Sequence, residues 1–412
     1  MSGEEENSLE STPTWSIATV CCVFIITSLG LQQGLHYLGK SLKKHNRRSL
    51  YEALQKLKEE LMLLGFISLL LTVFKYPIGR ICISRSLTRL MLPCRQKEYE
   101  NNVNISPKIS ETPSEAGGYC EEKGKVPLLS TEGMHQLHMF VFVLAIVHVV
   151  YCAMTMILGA AKIHSWKRWE AEIKENLMSE CGAYQKRLTD VIHDDFMMSH
   201  TNGHWIKSET LEWIESFWRQ FYGSVRRSDY TTLRLGFIEE HCRANKKFDF
   251  HNYLVRCLEV DFKKVVGISG YHWAFVVIFL LLNNHGWNSY FWMAFLPIIL
   301  LLFVGTKLQH VIKRMAQEVI KKNNAGQGGK FVRLSNEHFW FGRPQLILHL
   351  IHFILFQNAF ELAFVLWITV NFGFTSCMLS KVYYMIPRVF MGVLVQFLCS
   401  YCTFPLYALV TQ

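Results

Sequence analysis

Apolar residues in this chain are gathered in long blocks, not in the alternation of a half-buried strand or the three-to-four spacing of a surface helix. Seven blocks carry almost no charge, at 15–38, 60–78, 137–159, 265–283, 289–307, 346–370 and 386–410. A helix rises about 1.5 Å per residue, so about 20 apolar residues cross a hydrocarbon core of about 30 Å. The pattern predicts an all-α, polytopic membrane protein with seven transmembrane helices. An odd number of crossings puts the two termini on opposite sides.

Basic residues in short loops stay on the cytoplasmic side, and they orient the bundle. The loop 39–59 holds Lys40, Lys43, Lys44, Arg47, Arg48, Lys56 and Lys58, and the loop 308–345 holds Lys313, Arg314, Lys321, Lys322, Lys330, Arg333 and Arg343. Both are therefore expected inside. The segments 284–288 and 371–385 share one basic residue, Lys381, and residues 1–14 open with Glu4, Glu5, Glu6 and Glu10, so these face outward. The chain then divides into an extracellular N-terminus (1–14), helices one to three with the extracellular loop 79–136 (15–159), a cytoplasmic loop domain (160–264), and helices four to seven (265–412). The first block has no basic region before it and a basic cluster after it, the arrangement of a retained signal anchor. Residues 283–289, rich in Asn and Gly, predict a tight turn joining helices four and five as a hairpin.

The segment 160–264 has helical stripes of its own. Leu211, Ile214, Phe217, Trp218 and Phe221 form one, after Ser208. Phe250, Leu254, Cys257, Leu258 and Phe262 form another, with Asp249 placed to cap it. Residues 321–330, Lys-Lys-Asn-Asn-Ala-Gly-Gln-Gly-Gly-Lys, predict a flexible linker.

Composition agrees: of 412 residues half are apolar, 14% are aromatic and 18% charged, with a net charge of +10. Mean hydropathy is +0.14. Both features exclude a disordered chain. The basic excess, with Lys307, Lys313, Arg314, Lys321 and Lys322 flanking the fifth block, is read as topology and attraction to anionic lipid, not nucleic acid. Of the 12 cysteines, Cys82, Cys94, Cys120 and Cys377 fall outside. Four cysteines on the oxidising side predict two disulfides in one of three connectivities, and any complete pairing ties Cys377 to the first outer loop. Asn104-Ile-Ser106 is a glycosylation sequon weakened by Pro107.

Polar residues inside apolar blocks mark chemistry, because a charge at mid-bilayer needs a partner or a water-filled path. On a helix at about 100° per residue, Gln357, Asn358 and Glu361 fall at about 0°, 100° and 40° and make one polar face of the sixth block. A carboxylate with two amide carbonyls suits a hard cation. Hydrogen bonding to neighbouring helices is the structural alternative. Glu60, Leu64, Ser68 and Thr72 form a stripe on the second block. Glu60 is placed near the inner mouth, or simply pairs with Lys56, and Ser49 with Glu52 suggests a capping box. Arg388, Gly392, Gln396 and Ser400 form a third stripe. Arg388 is read as a snorkelling anchor, with counter-ion to Glu361 as the alternative.

His138, His148, His349 and His352 lie in membrane blocks, but their depths do not match for haem ligation across helices. His193, Asp194, Asp195, His200 and His204 have metal-ligand side chains without a ligand signature and are read as a polar loop. No catalytic triad, phosphate loop or dinucleotide motif is present, and neither an enzyme nor a bound cofactor is expected.

Several stretches carry a family resemblance. Ser49–Thr72 resembles the second-helix region of the plant MLO family, the seven-helix proteins of powdery-mildew resistance locus O. Similar blocks are 135–138, 166–169, 227–230, 233–237, 339–344, 358–360 and 405–412, which together cover the chain from about residue 15 to its end. The resemblance implies a plasma-membrane protein, N-terminus out and C-terminus in, with outer-loop cysteines and calcium-permeable conduction. It also implies roles in powdery-mildew response, cell-surface signalling or development. Members continue into a calmodulin-binding tail, whereas this chain ends at Gln412, so calmodulin is an expected partner only of a longer form. Residues 189–207 differ from the pattern of the mildew-susceptibility members. Two function classes follow: a cation channel built around Glu361 and Glu60, from one subunit or several, or a seven-helix receptor-like scaffold whose polar stripes only pack.

Overall fold

The apolar blocks do fold as helices, and several run well past the apolar stretch that predicts them. The computed structural model describes residues 14–84, 120, 125–129, 131–178, 216, 218, 225–242, 248–282, 293–324, 336–373 and 382–411. In chain order these form α1 (Thr14–Lys44), α2 (Arg48–Val73), the short α3 (Lys75–Gly79), β1 (Cys82–Ile83), β2 (Val126–Pro127), α4 (Thr131–Met178), α5 (Arg227–His241) and α6 (Phe250–Val265). Then come α7 (Gly270–Leu282), α8 (Leu296–Asn324), two 3₁₀ turns (Asn336–His338 and Trp340–Gly342), α9 (Gln345–Phe372) and α10 (Val382–Phe397). A π-helical turn (Leu398–Thr403) leads into α11 (Phe404–Val410).

Residues 1–55 form one compact unit and residues 56–412 another. In the first, α1 closes on Lys43 and Lys44, where positive charge suits a helix C-terminus. Asn46, at φ 55, makes the left-handed turn into α2. That helix starts at Arg48, one residue before the expected cap Ser49, and Glu52 accepts from Arg48 Nε at 3.1 Å.

Among the described residues, four helices are long and apolar enough to cross a bilayer: Glu132–Glu175, Leu296–Glu318, Gln345–Phe372 and Met385–Val410. The pair Phe250–Val265 and Gly270–Leu281, bent by 48°, makes a fifth if taken as one span. The apolar part of α2, residues 61–73, is shorter than the about 20 residues a bilayer needs, because Lys56, Lys58, Glu59 and Glu60 precede it. The hairpin turn expected at 283–289 lies outside the described residues.

Helix α9 lies at the middle of the second unit. Most of its length from Ile347 to Ile368 is buried, including the polar Gln357, Asn358 and Glu361, while Leu346, Leu366, Val370 and Phe372 are exposed. Ala359 and Ala363, one turn apart and both at 0% exposure, let neighbours approach its backbone. In lipid this close packing replaces the hydrophobic drive between helices. Phe140 of α4 meets Phe360, Phe364 and Trp367 edge-on, with ring centroids 5.9, 6.0 and 5.4 Å apart.

The boundaries at 159/160 and 307/308 fall inside helices. α4 runs 48 residues, about 72 Å at about 1.5 Å each, and α8 continues to Asn324. Residues 321–324 of the expected linker are thus helical. Beyond the apolar stretch, Trp166 and Trp169 of α4 pack against Tyr230, which also meets Phe250. Glu170 accepts from Arg234 through both oxygens at 2.8 and 3.2 Å and from the Tyr230 hydroxyl at 3.1 Å. Burial first, and the Glu170 charge second, push the Tyr230 phenol above its ordinary pKa. The second expected stripe is realised: Phe250, Leu254, Leu258 and Phe262 are buried, and Asp249 caps α6 by accepting from Asn252 N–H at 3.2 Å. Of the first stripe, Trp218 is exposed, and Leu211, Ile214, Phe217 and Phe221 lie outside the described residues. α11 is buried from Phe404 to Val410 and packs on α4, α5, α6 and α8.

Lys307 and Lys313 were expected to face lipid headgroups, but both are buried, because α8 turns that face toward the rest of the unit. The Lys307 ammonium sits 5.8 Å from the Trp340 ring centre, close enough for a cation–π contact.

At the other end of α4 a pair of two-residue strands, absent from an all-α expectation, sets Cys82 opposite Pro127. Cys82 is disulfide-bonded to Cys120. Cys94, Cys377 and the Asn104 sequon lie outside the described residues.

Candidate functional site

The stripe Arg388, Gly392, Gln396, Ser400 recurs every fourth residue, so on α10 it forms one line facing α9 and α4. The structure gives each position of that line a partner. Ser400 Oγ donates to Thr155 Oγ1 at 3.2 Å, and Gln396 Nε2 donates to Thr155 Oγ1 at 3.0 Å and to the Tyr151 carbonyl at 3.2 Å. Asn358 Nδ2 donates to the Gly392 carbonyl at 2.8 Å. A Cβ on Gly392 would stand 3.3 Å from Asn358 Oδ1, so the missing side chain is what lets α9 and α10 come this close.

At the end of the seam Arg388 Nη2 stands 4.0 Å from Glu361 Oε2, and both side chains are buried. The expected anchor reading of Arg388 is thereby corrected. Its side chain turns inward as the counter-ion of Glu361, because an unpaired carboxylate at this depth would be far costlier than a snorkelling arginine is favourable. Glu361 is 8% exposed, and neither of its oxygens accepts a hydrogen bond among the described residues. A small cavity beside it is lined by Asn358, Arg388, Val389, Gly392 and Ala294. The arrangement offers a carboxylate, an amide carbonyl and one built-in cation. Chemically that is a site where a hard cation would compete with Arg388 for oxygen.

The other two expected site residues are elsewhere. Gln357, although on the same turn, points to the Met293 carbonyl, to which its Nε2 donates at 3.4 Å. Glu60 Oε1 accepts from Ile268 N–H at 3.2 Å, at the start of α7. Neither lines the Glu361 cavity. Thr72 of the α2 stripe spends its hydroxyl on the Ser68 carbonyl of its own helix, at 3.1 Å.

The membrane histidines divide as well. His349 Nδ1 bonds the Gln345 carbonyl of its own helix at 2.7 Å. His148 and His352 instead reach the break between α6 and α7, and there they meet His272, which was not singled out in the sequence. Its signal was available: Ser269 precedes the apolar run by cap position, and His272 lies three residues later, where a capping-box partner belongs. Among the described residues no cluster of three His, Cys, Asp or Glu has metal-site geometry. His193, Asp194, Asp195, His200 and His204 lie outside the described residues.

Comparison with known proteins returns relatives that match along nearly the whole chain. MLO-like protein 1 of Arabidopsis thaliana is 51% identical over 432 residues, covering 100% of this chain and 82% of the relative. MLO-like protein 13 of the same plant is 50% identical, covering 100% of this chain and 88% of the relative. MLO protein homolog 1 of Oryza sativa subsp. japonica is 44% identical, over 100% and 76%. No solved structure matches. The Mlo family model matches residues 6–412. With that match over nearly the whole length, and these helices, the chain belongs to the Mlo family of multi-pass membrane proteins.

Proposed function

We propose that this protein is a plasma-membrane, calcium-permeable cation channel with seven spans, N-terminus outside and C-terminus inside. It acts in calcium signalling tied to pathogen response or development. The observation that carries the reading is Glu361: a buried carboxylate in the sixth apolar block, with no hydrogen-bond donor to either oxygen among the described residues, beside a cavity shared with Asn358 and Arg388. A negative charge in a low-dielectric span concentrates cations, and carbonyl and carboxylate oxygens replace their water. In this reading α1 and the bent or short helices α2 and α6–α7 complete the crossings, and calmodulin regulates a form carrying a longer tail.

The second reading, a receptor-like scaffold, draws on the Glu170–Arg234–Tyr230 core, which builds an ordered module beyond the membrane part of α4. Whole-cell recording separates the two, with calcium as main permeant ion and residues 1–412 compared with the Glu361→Ala variant at matched surface expression. The channel reading expects a calcium current that the variant reduces. Unchanged current in the variant would remove Glu361 from the path, and no current from either chain at the surface would favour the scaffold.

A further inference from the structure

A broken helix leaves backbone groups without partners: carbonyls at the end of the first half and N–H groups at the start of the second. At the break between α6 and α7 these groups are met by side chains from α2, α4, α7 and α9. The Val266 carbonyl faces His148 Nε2 at 3.1 Å, and the Gly267 carbonyl faces His352 Nε2 at 2.6 Å. Ile268 N–H donates to Glu60 Oε1 at 3.2 Å, and Ser269 N–H donates to His272 Nδ1 at 3.0 Å.

These partners dictate the protons. A carbonyl only accepts, so His148 and His352 carry hydrogen on Nε2. A backbone N–H only donates, so His272 Nδ1 is bare and its single hydrogen is on Nε2. His272 is fully buried, and its Nε2 has no hydrogen-bond partner among the described residues. Its ring centre lies 4.2 Å from that of His352 and 4.5 Å from that of Phe356.

A second proton on His272 must go to Nδ1. The acceptor then becomes a donor pointed at the Ser269 N–H, whose acceptor among the described residues is that same Nδ1. The groups around the junction give that charge little relief. From α2 come Lys56, whose side-chain end touches Gly267, and Glu60, already bonded to Ile268. From α4 come His148, Tyr151 and Cys152, from α7 Tyr271, and from α9 His352 and His349. His352 is better placed to take a proton, since its Nδ1 faces the Tyr271 hydroxyl at 3.1 Å and a hydroxyl can turn to accept. A small cavity beside His148, Cys152, His352 and Phe356 leaves space for the rings to move.

We propose that the α6–α7 break is a proton-sensitive latch: neutral His272 holds the start of α7 closed, and its protonation on acidification releases the junction. Because the closed form has no place for the second proton, protonation favours the open form. Opening then grows by about tenfold per pH unit below the ordinary imidazole pKa of about 6.5.

Hydrogen–deuterium exchange on the full chain in lipid nanodiscs, followed in peptides covering 262–273, tests this. His272→Gln is the matched variant, because Ser-x-x-Gln is a capping box that keeps the acceptor and loses the titration. From pH 7.5 to 5.5 the ratio of wild-type to variant exchange should rise by about tenfold, with the same ratio for peptides of α4 and α9 unchanged. An equal profile in both proteins overturns the latch. So does a response that survives in His272→Gln but vanishes in Glu60→Gln, since the carboxylate would then be the sensor. If His272→Gln does not assemble, His272→Asn, which also retains an acceptor, decides by the same ratio.

Discussion

Glu170 and Arg234 are buried at 4% and 1% side-chain exposure and satisfy one another with two hydrogen bonds. Removing Glu170 strands the Arg234 charge, which typically costs about 3 to 5 kcal/mol, whereas removing Arg234 leaves Glu170 with the Tyr230 hydroxyl and with Lys174 Nζ at 3.8 Å. We therefore expect Glu170→Ala to lower stability by about that amount, Arg234→Ala by less, and the double change Glu170→Met with Arg234→Leu to be milder than Glu170→Ala. Thermal unfolding in detergent, or the fraction of protein resisting proteolysis, measures it; equal loss in Glu170→Ala and the double variant would contradict the pairing. At this scale the sequence marks Trp166, Trp169, Tyr230 and Arg234 only as parts of the motif blocks 166–169, 227–230 and 233–237. Their pairing was not legible, because α4 and α5 are separated by dozens of residues and periodicity along one helix says nothing of its partner. Arg388 shows the same limit: position near a helix end favoured a snorkelling anchor, and only the neighbouring helix made it a counter-ion.

Among elements, α9 and α10 depend on close approach at one glycine. Gly392→Ala sets a methyl 3.3 Å from Asn358 Oδ1 and strains the 2.8 Å bond from Asn358 to the Gly392 carbonyl. The expected loss is about 1 to 2 kcal/mol, the size of one hydrogen bond with a modest packing shift. A lowered unfolding temperature for Gly392→Ala but not for Gly65→Ala, where the position opens on free space, checks that assignment. The existence of these helices was plain from the apolar blocks, and the α6 stripe and its Asp249 cap were read correctly. Helix lengths were not, since a hydropathy block ends where lipid ends, whereas α4 and α8 continue as helices stabilised by packing outside it. The break between α6 and α7 was also missed as a feature. Gly267, Ser269 and Gly270 signal a stop and restart, but three of the four side chains that satisfy it, Glu60, His148 and His352, come from helices far away in sequence.

For the whole molecule, the bond between Cys82 and Cys120 leaves one of the three expected connectivities, in which Cys94 pairs with Cys377. Non-reducing peptide mapping should recover that cross-link, and a free thiol on either residue of the correctly folded protein would contradict it. Orientation is tested by reporters: a tag before residue 14 should be reached from outside the cell and a tag after residue 412 only after permeabilisation. The opposite result would reverse the assignment of the basic loops. By itself the sequence determined membrane residence, helical class and the family, because hydropathy, helical period and local motifs are properties of neighbours along the chain. Tertiary structure alone decided that Glu361 meets Arg388 while Glu60 caps α7, and that three histidines converge on one break. Those outcomes follow from which helix faces which in a close-packed interior, and long-range packing, not local pattern, settles how each buried charge and orphaned backbone group is satisfied.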